Sequence, residues 1–298
     1  MATNAQIKAC LGVDAARYAA NKHRGGSSGN KGTRYEDFFM AFKVAEAAAR
    51  WMVGESNPHV KGQDEGFVDD LRLGSDDGTA YFQMKNQEAV SWTAGEHPIA
   101  TDFQYQHKLS VFMNEPAPST NLVVPAATLA NTLGESIPVD IKSHSAVVHF
   151  PWTRTANKLV LELPALREHL AVLSHVEKPT DDALTGTFGA LLMACIEFPD
   201  GATVSQLLGK AAGLFPGQIR LLPDDQDWER HFDLRFRQVL DRIEGLMYGA
   251  SRGFFQWTAF GTSGVFAQSV LSEEFALFQN QIVKLQPKTF EAFEEALP

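Results

Sequence analysis

Residues 66–85 read GFVDDLRLGSDDGTAYFQMK, and this stretch decides the fold of the first half of the chain. Two runs of strand-forming residues flank the turn sequence Ser-Asp-Asp-Gly at residues 75–78. This arrangement predicts a β-hairpin. The first strand carries two acids, and the second ends in Gln83, Met84 and Lys85. The hairpin is therefore the first place to look for a functional site.

Alternation along the two strands selects one of the acids, because side chains on a strand point to opposite faces in turn. In the first strand, one face carries Phe67, Asp69, Leu71 and Leu73, and the other carries Val68, Asp70 and Arg72. In the second strand, the apolar face is Ala80, Phe82 and Met84, and the polar face is Tyr81, Gln83 and Lys85. If Gly74 pairs with Thr79, the apolar faces coincide and Asp70 lies opposite Gln83. A slip of one residue would set each apolar face against a polar one, so Asp70 is the expected functional acid and Asp69 a strand-edge residue.

The polar face of this hairpin has the residue types that a divalent metal site needs. Mg²⁺ prefers oxygen ligands, usually one or two carboxylates together with water and substrate oxygens. Asp70 would be the main anionic ligand, and Gln83 would add its amide oxygen. Lys85 would hold the attacking water or stabilise charge on a phosphate. The alternative is a solvated hairpin whose charges contact only water.

A long helix is predicted for residues 34–53, just before the hairpin. Its apolar residues recur at steps of three or four, and Gly54 provides a stop. Glu36 falls in the first turn, where it either joins the metal site or, like Asp37, only complements the helix dipole. The preceding stretch GGSSGNKGT, residues 25–33, lacks the Gly-Lys-Ser/Thr ending of a phosphate-binding loop and is expected to be a flexible connector.

The order of these motifs resembles a known superfamily. A Gly-rich lead is followed by Arg-Tyr-Glu opening a helix, a strand with Asp-Asp-Leu, an Asp-Gly turn and Tyr-Phe-Gln-Met-Lys. Across residues 24–130 this order is similar to the PD-(D/E)XK restriction-endonuclease-like superfamily. More narrowly, it resembles the Gln-x-Lys branch, found as DNA-degrading effectors of bacterial anti-phage systems such as cyclic-oligonucleotide-signalling and HerA-ATPase-associated systems. Glutamine stands here where the superfamily usually has a second acid.

This resemblance implies a metal-dependent DNA endonuclease of anti-phage defence. Its catalytic residues would be Glu36, Asp70, Gln83 and Lys85. Glu36, Asp70 and Gln83 would bind Mg²⁺ or Mn²⁺, and the substrate would be DNA. Because such an effector must be held inactive in its own cell, we also expect a homo-oligomer docked to an ATPase or a signalling partner.

The segments after Lys85 continue an α/β pattern. A predicted helix at residues 101–114 and a buried strand at Leu122–Val124 form a strand–helix–strand crossover. We therefore expect residues 1–150 to form a restriction-endonuclease-like domain, a mixed sheet flanked by helices. Residues 151–298 predict a mostly helical domain with a long helix at 226–247 and a β-hairpin at 254–267. One alternative for this half is a winged-helix module, with a helix-turn-helix starting at Thr203.

Composition and charge limit the remaining possibilities. The 298 residues are 44% apolar, enough for a sizeable core, and the net charge of −10 disfavours strong DNA binding without a partner. Residues 1–35 instead have six basic residues against one acidic residue, a net charge of +5. They would either meet phosphates or form a solvated face. The two cysteines are far apart in the sequence, which predicts buried thiols in a reducing cytoplasm. The sequence shows no apolar run long enough to span a membrane and no export leader, so we expect a cytoplasmic protein without a membrane span.

Two other functions stay open on sequence grounds. The acidic charge and the missing second carboxylate favour a nuclease-fold scaffold or recognition subunit with little activity. A basic surface confined to the C-terminal half would favour a winged-helix nucleic-acid-binding protein. The polar face of Asp70, Gln83 and Lys85, together with Glu36, favours the nuclease.

Overall fold

A computed structural model describes residues 3–25, 30–64, 66–220, 228–251 and 253–297 of the chain. We call the described residues from 3 to 220 the first unit. Its strands are β1 His59–Gly62, β2 Leu71–Gly74, β3 Thr79–Met84, β4 Ser119–Val124, β5 Ser145–His149 and β6 Ala202–Thr203. The helices of this unit are α1 Asn4–Leu11, α2 Val13–Gly25, α3 Asn30–Trp51, α4 Ile99–Phe112, α5 Ala127–Glu135, α6 Ala156–Glu162, α7 Pro164–Leu173, α8 Asp181–Ile196 and α9 Val204–Leu214.

The six strands form one mixed sheet in the order β5-β4-β3-β2-β1-β6. Strands β3, β4 and β5 run parallel to one another, and β6, β1, β2 and β3 are joined by antiparallel pairs. Helix α4 makes the crossover between the parallel strands β3 and β4, as the sequence predicts. The expected α/β class, a mixed sheet flanked by helices, is confirmed.

The predicted register of the hairpin is also confirmed. Gly74 pairs with Thr79 and Leu71 pairs with Phe82 across the turn at residues 75–78. The first strand is shorter than expected, however, because β2 begins only at Leu71. Residues 63–70 form a loop that is closed by backbone hydrogen bonds from Gln63 N to Asp70 O and from Asp64 N to Asp69 O. Asp69 and Asp70 therefore stand at the mouth of the hairpin and not within a strand.

Both faces of the sheet are covered. Leu71, Phe82, Met84 and Val123 face a core built with α3 and with α6 to α9. Tyr81, Leu122 and Val124 face a second core built with α4 and α5. This division follows from the period-two alternation of the strands, and it explains why β4 is apolar on both faces.

Helix α3 begins earlier than predicted, at Asn30 rather than at residue 34. Glu36 is therefore in its second turn, and the helix dipole has less influence on it. Residues 26–29 of the expected connector lie outside the described residues, and residues 30–33 are already helical. The helical hairpin α1–α2 packs on α4 and on Phe67 of the loop before β2.

The first core crosses the boundary expected near residue 150. Helices α7, α8 and α9 pack against α3, and β6 pairs with β1 at the sheet edge. The helix-turn-helix suggested near Thr203 thus corresponds to α9, whose Val204, Leu207 and Leu208 are buried in this core. The division of the chain into residues 1–150 and 151–298 stays a prediction.

Residues 228–297 have a hydrophobic core of their own, rich in phenylalanine. Its elements are a 3₁₀ turn Trp228–His231, α10 Leu234–Leu240, β7 Met247–Ser251, β8 Phe254–Ala259, β9 Thr262–Ser269, α11 Glu273–Leu285 and α12 Phe290–Glu294. The predicted hairpin at 254–267 is present as β8 and β9, and β7 adds a third strand. A helical C-terminal region that contains a small antiparallel sheet agrees with the expected fold class.

The long helix predicted for residues 226–247 is wrong, and residues 226–227 lie outside the described part. Asp233 starts the much shorter α10, where its side chain accepts a hydrogen bond from Arg235 N at 2.7 Å. Gly245 then adopts a positive φ of 75° and turns the chain into β7. The apolar spacing identified the buried residues Phe232 and Phe236 correctly, but it did not reveal these interruptions.

Candidate active site

The four predicted site residues converge beside the mouth of the hairpin. Asp70 lies just before β2, Gln83 lies in β3 and Lys85 lies just after β3. Glu36 approaches from α3, and the pKa of its carboxyl depends on the charges of both Asp70 and Lys85. The structure thus brings residues from three separate segments of the chain to one place.

Asp70 and Gln83 are in direct contact. Gln83 Nε2 donates to Asp70 Oδ2 at 2.5 Å, and Met84 N donates to the same oxygen at 2.6 Å. The loop before Asp70 is fixed in turn by Gln106, whose Oε1 accepts from Phe67 N and Val68 N. Of the two acids Asp69 and Asp70, Asp70 is therefore the better candidate for a metal ligand. Its position is set by backbone and side-chain donors together.

Glu36 and Asp70 both have carboxyls that resist ionisation. Burial and the nearby charge of Asp70 raise the pKa of Glu36 to about 7. Burial and the neighbouring Asp69 raise the pKa of Asp70. Gln63 Nε2 donates to Glu36 Oε2 at 3.0 Å, which orients the glutamate. Two carboxylates held close together in this way favour a cation that would neutralise both.

Lys85 is half-buried and lies close enough to Glu36 and Asp70 to lower the pKa of each carboxyl. Its ammonium makes no hydrogen bond or ion pair with another described residue. An ammonium in this position can therefore reach an additional anionic group without breaking an existing contact.

Lys22 belongs to the site although the sequence did not single it out as a site residue. It reaches from α2 and donates to Gln83 Oε1 at 3.0 Å and to Asp102 Oδ2 at 2.9 Å. Burial by itself lowers the pKa of Lys22, but Asp69 and Asp102 outweigh this effect, so the pKa is raised overall. Lys22 is therefore a charged, largely buried group directly behind the predicted metal residues.

Asp69 and Asp102 complete this inner cluster. Asp69 is 5% exposed and is 3.5 Å from Lys22 Nζ, but its Oδ1 has no hydrogen-bond partner among the described residues. Tyr18 on α2 donates to both carboxylate oxygens of Asp102, at 3.0 and 3.1 Å. The expectation that Asp69 is only a strand-edge residue is therefore wrong, because its carboxylate is buried in an ion-pair cluster.

The side chains at this site meet the ligand requirements of a divalent cation only in part. Asp69 Oδ1 has an ion pair with Lys22 but no hydrogen-bond donor, and the nearby carboxylates outnumber the ammoniums, so the site would gain from added positive charge. Across the described residues, however, no group of three carboxylate, imidazole or thiol side chains is arranged to hold a metal. Gln83 also presents its nitrogen to Asp70, so its amide oxygen would reach a metal beside Asp70 only after half a turn of the amide.

Comparisons with known proteins give one structural likeness. No protein-family model matches the chain, and no curated protein matches it. A similar solved structure is that of the Acinetobacter baumannii Cap4 SAVED/CARF-domain containing receptor with the cyclic trinucleotide 2'3'3'-cAAA. The two chains are 9% identical, with a TM-score of 0.39, and the match covers 69% of this chain and 56% of the receptor. The matched region spans little more than half of that receptor's length.

Proposed function

We propose that this chain is a divalent-metal-dependent DNA endonuclease. The observation that carries the proposal is the convergence of Glu36, Asp70 and Lys85 at the mouth of the hairpin, where Gln63 donates both to Glu36 Oε2 and to Asp70 O. Glu36 and Asp70 would hold Mg²⁺ or Mn²⁺, with Gln83 as a third ligand if its amide turns over. A bound metal would supply Lewis-acid activation of a phosphodiester and of the attacking water.

The protein's own residues would prepare the site for this chemistry. Met84 N and Gln83 Nε2 fix one oxygen of Asp70 and leave the other oxygen for a ligand. Gln63 orients Glu36 in the same way. Lys85 would place its ammonium on the phosphate, where it stabilises negative charge that develops during hydrolysis.

We extend the proposal to an effector role in anti-phage defence, on the strength of the residue pattern. The net charge of −10 favours a chain that acts in an assembly, either a homo-oligomer or a complex with an ATPase or signalling partner. Among the described helices, none is both long and apolar enough to cross a bilayer. A cytoplasmic location is part of the same proposal.

A scaffold or recognition subunit is the second candidate, and one observation favours it. Lys22 holds the oxygen of Gln83, and only two carboxylates, Glu36 and Asp70, are proposed as metal ligands. A site with so few anionic ligands would bind Mg²⁺ weakly. In that case, the nuclease fold would serve recognition alone.

Mn²⁺ binding separates the two candidates. Electron paramagnetic resonance counts the unbound Mn²⁺ in titrations of the wild type, Asp70→Asn and Glu36→Gln. The nuclease proposal predicts a site in the wild type that is lost in Asp70→Asn and weakened in Glu36→Gln. Asp77→Asn, at an exposed position in the hairpin turn, is the matched control and should bind as the wild type does. No binding by the wild type would favour the scaffold.

A further inference from the structure

Lys22 uses all of its donors inside the protein. An ammonium has three N–H groups. Those of Lys22 reach Phe67 O at 2.5 Å, Gln83 Oε1 at 3.0 Å and Asp102 Oδ2 at 2.9 Å. Its side chain is 19% exposed, so these bonds form largely away from water. Lys22 is thus a fixed structural cation and has no donor left for a DNA phosphate.

The bond from Lys22 to Gln83 determines which way the Gln83 amide points. Because Lys22 occupies the amide oxygen, the amide nitrogen faces Asp70 and donates to Oδ2 at 2.5 Å. The reverse orientation would place an amide NH₂ against an ammonium and an oxygen against a carboxylate. Both contacts would then be repulsive, so Lys22 and Asp70 stabilise one orientation together.

We propose that Lys22, Gln83 and Asp70 form a hydrogen-bonded relay in which Lys22 is a positioning residue for the metal-binding aspartate. This inference rests on the proposed function, and it refines the role of Gln83. Gln83 orients Asp70 by donating to it and is not itself a metal ligand. Groups that hydrogen-bond to metal ligands commonly fix the ligands' orientation, and their loss typically costs about 10–100-fold in metal affinity or activity.

The relay gives the helical hairpin α1–α2 a direct part in the active centre. The hairpin delivers Lys22 to the site, and Tyr18 on the same helix holds Asp102, which is an acceptor for Lys22. Lys22, one of the six basic residues within residues 1–35, is therefore held largely inside the protein. The expectation that this charge meets phosphates does not hold for Lys22.

Removing Lys22 alone would leave buried carboxylates without their cation, so the test uses a charge-balanced variant. Lys22→Met/Asp69→Asn removes one positive and one negative charge and keeps similar side-chain volumes. Asp69→Asn alone controls for the loss of that carboxylate. Lys8→Met on α1 controls for a Lys-to-Met change in the same hairpin, because Lys8 is exposed. Mn²⁺ affinity is measured for each folded protein, together with the rate of DNA cleavage.

The relay predicts that Lys22→Met/Asp69→Asn binds Mn²⁺ about 10–100-fold more weakly than Asp69→Asn alone, while the exposed Lys8→Met control binds as the wild type does. It also predicts that the double variant adds no further loss once Gln83→Met is present, because both changes break the same chain of bonds. Mn²⁺ binding by the double variant that is equal to or tighter than that of Asp69→Asn would overturn the relay, since tighter binding means that Lys22 competes with the metal for Gln83. A wild type that binds no Mn²⁺ would instead refute the proposed function.

A second measurement decides the matter if the double variant does not fold. The ¹⁵N resonance of a buried, hydrogen-bonded lysine ammonium is observable by NMR in the metal-free protein. The relay predicts that the Lys22 signal shifts in Gln83→Met, and that it keeps its hydrogen-bonded position when Mg²⁺ is added to the wild type. A Lys22 signal that is unchanged by Gln83→Met, or that is lost on adding Mg²⁺ to the wild type, would refute the relay.

Discussion

The substitutions Asp70→Ala and Asp70→Asn distinguish the proposed role of Asp70 as a metal ligand from its role as a hydrogen-bond acceptor in the fold. Asp70 Oδ2 accepts from Met84 N at 2.6 Å and from Gln83 Nε2 at 2.5 Å. Alanine would leave both donors without an acceptor in a buried site. At about 1–3 kcal/mol for each unpaired donor, the loss amounts to about 2–6 kcal/mol in the free energy of unfolding. Asparagine keeps an oxygen for these donors and removes only the charge.

The pH dependence of stability distinguishes the two variants further. Burial and Asp69 raise the pKa of Asp70 in the folded protein. A carboxyl with a raised pKa contributes stability at low pH, and this contribution is lost as the pH rises through the folded-state pKa. At pH 8 the ionised Asp70 therefore disfavours folding. Asp70→Asn should then be at least as stable as the wild type, and this advantage should disappear near pH 4.

Urea unfolding at pH 8 and pH 4, followed by circular dichroism, measures these differences. Mn²⁺ titration of the same samples measures the metal site. We expect neither variant to bind Mn²⁺ and only Asp70→Ala to lose stability at pH 8. Equal stability of the two variants at pH 8 would refute the role of Asp70 as an acceptor for Met84 and Gln83. Mn²⁺ binding by Asp70→Asn would refute its role as a ligand.

Three further predictions concern the neighbours of Asp70. Lys85→Ala should lower the cleavage rate by about 100-fold or more with little change in DNA affinity; a lysine that only binds phosphate would weaken DNA binding and flatten its salt dependence instead. Since burial and Asp70 raise the pKa of Glu36 to about 7, Mn²⁺ must displace a proton below that pH, so wild-type affinity should rise between pH 6 and pH 8. Glu36→Gln should bind more weakly with a flatter profile, and an equally steep profile would exclude Glu36 as the cause. Asp69→Asn should retain most of the activity, and a loss as severe as that of Asp70→Asn would show that the reaction needs Asp69 as much as Asp70.

The register of the hairpin was predictable because two local signals agree. Apolar alternation and a four-residue turn both require Gly74 to face Thr79, and the structure has this pair. Once that pair is set, Asp70 and Gln83 can meet only on the polar face, where they are in hydrogen-bond contact. Local sequence patterns were sufficient here because the two strands are adjacent in the chain.

Lys22 was missed because its partners are distant in sequence. Gln83 and Asp102 lie 61 and 80 residues away, and no local pattern connects them to α2. A weaker signal was nevertheless present. Ala15 and Ala19 are buried on α2, and Lys22 follows on the same helical face at the next step of three. A lysine on the apolar face of a helix predicts a buried ion pair better than a phosphate contact.

Cleavage of supercoiled plasmid is the most direct test of whether this chain is a metal-dependent nuclease. Wild type and Asp70→Asn are purified side by side and incubated with plasmid and Mg²⁺ or Mn²⁺, with and without a chelator. We expect the wild type to nick or linearise the plasmid only with metal, the chelator to stop the reaction, and Asp70→Asn to be inactive under every condition. A metal-dependent nuclease centred on Asp70 would be refuted by cleavage that survives the chelator, by equal cleavage by Asp70→Asn, or by no cleavage by the wild type with either metal.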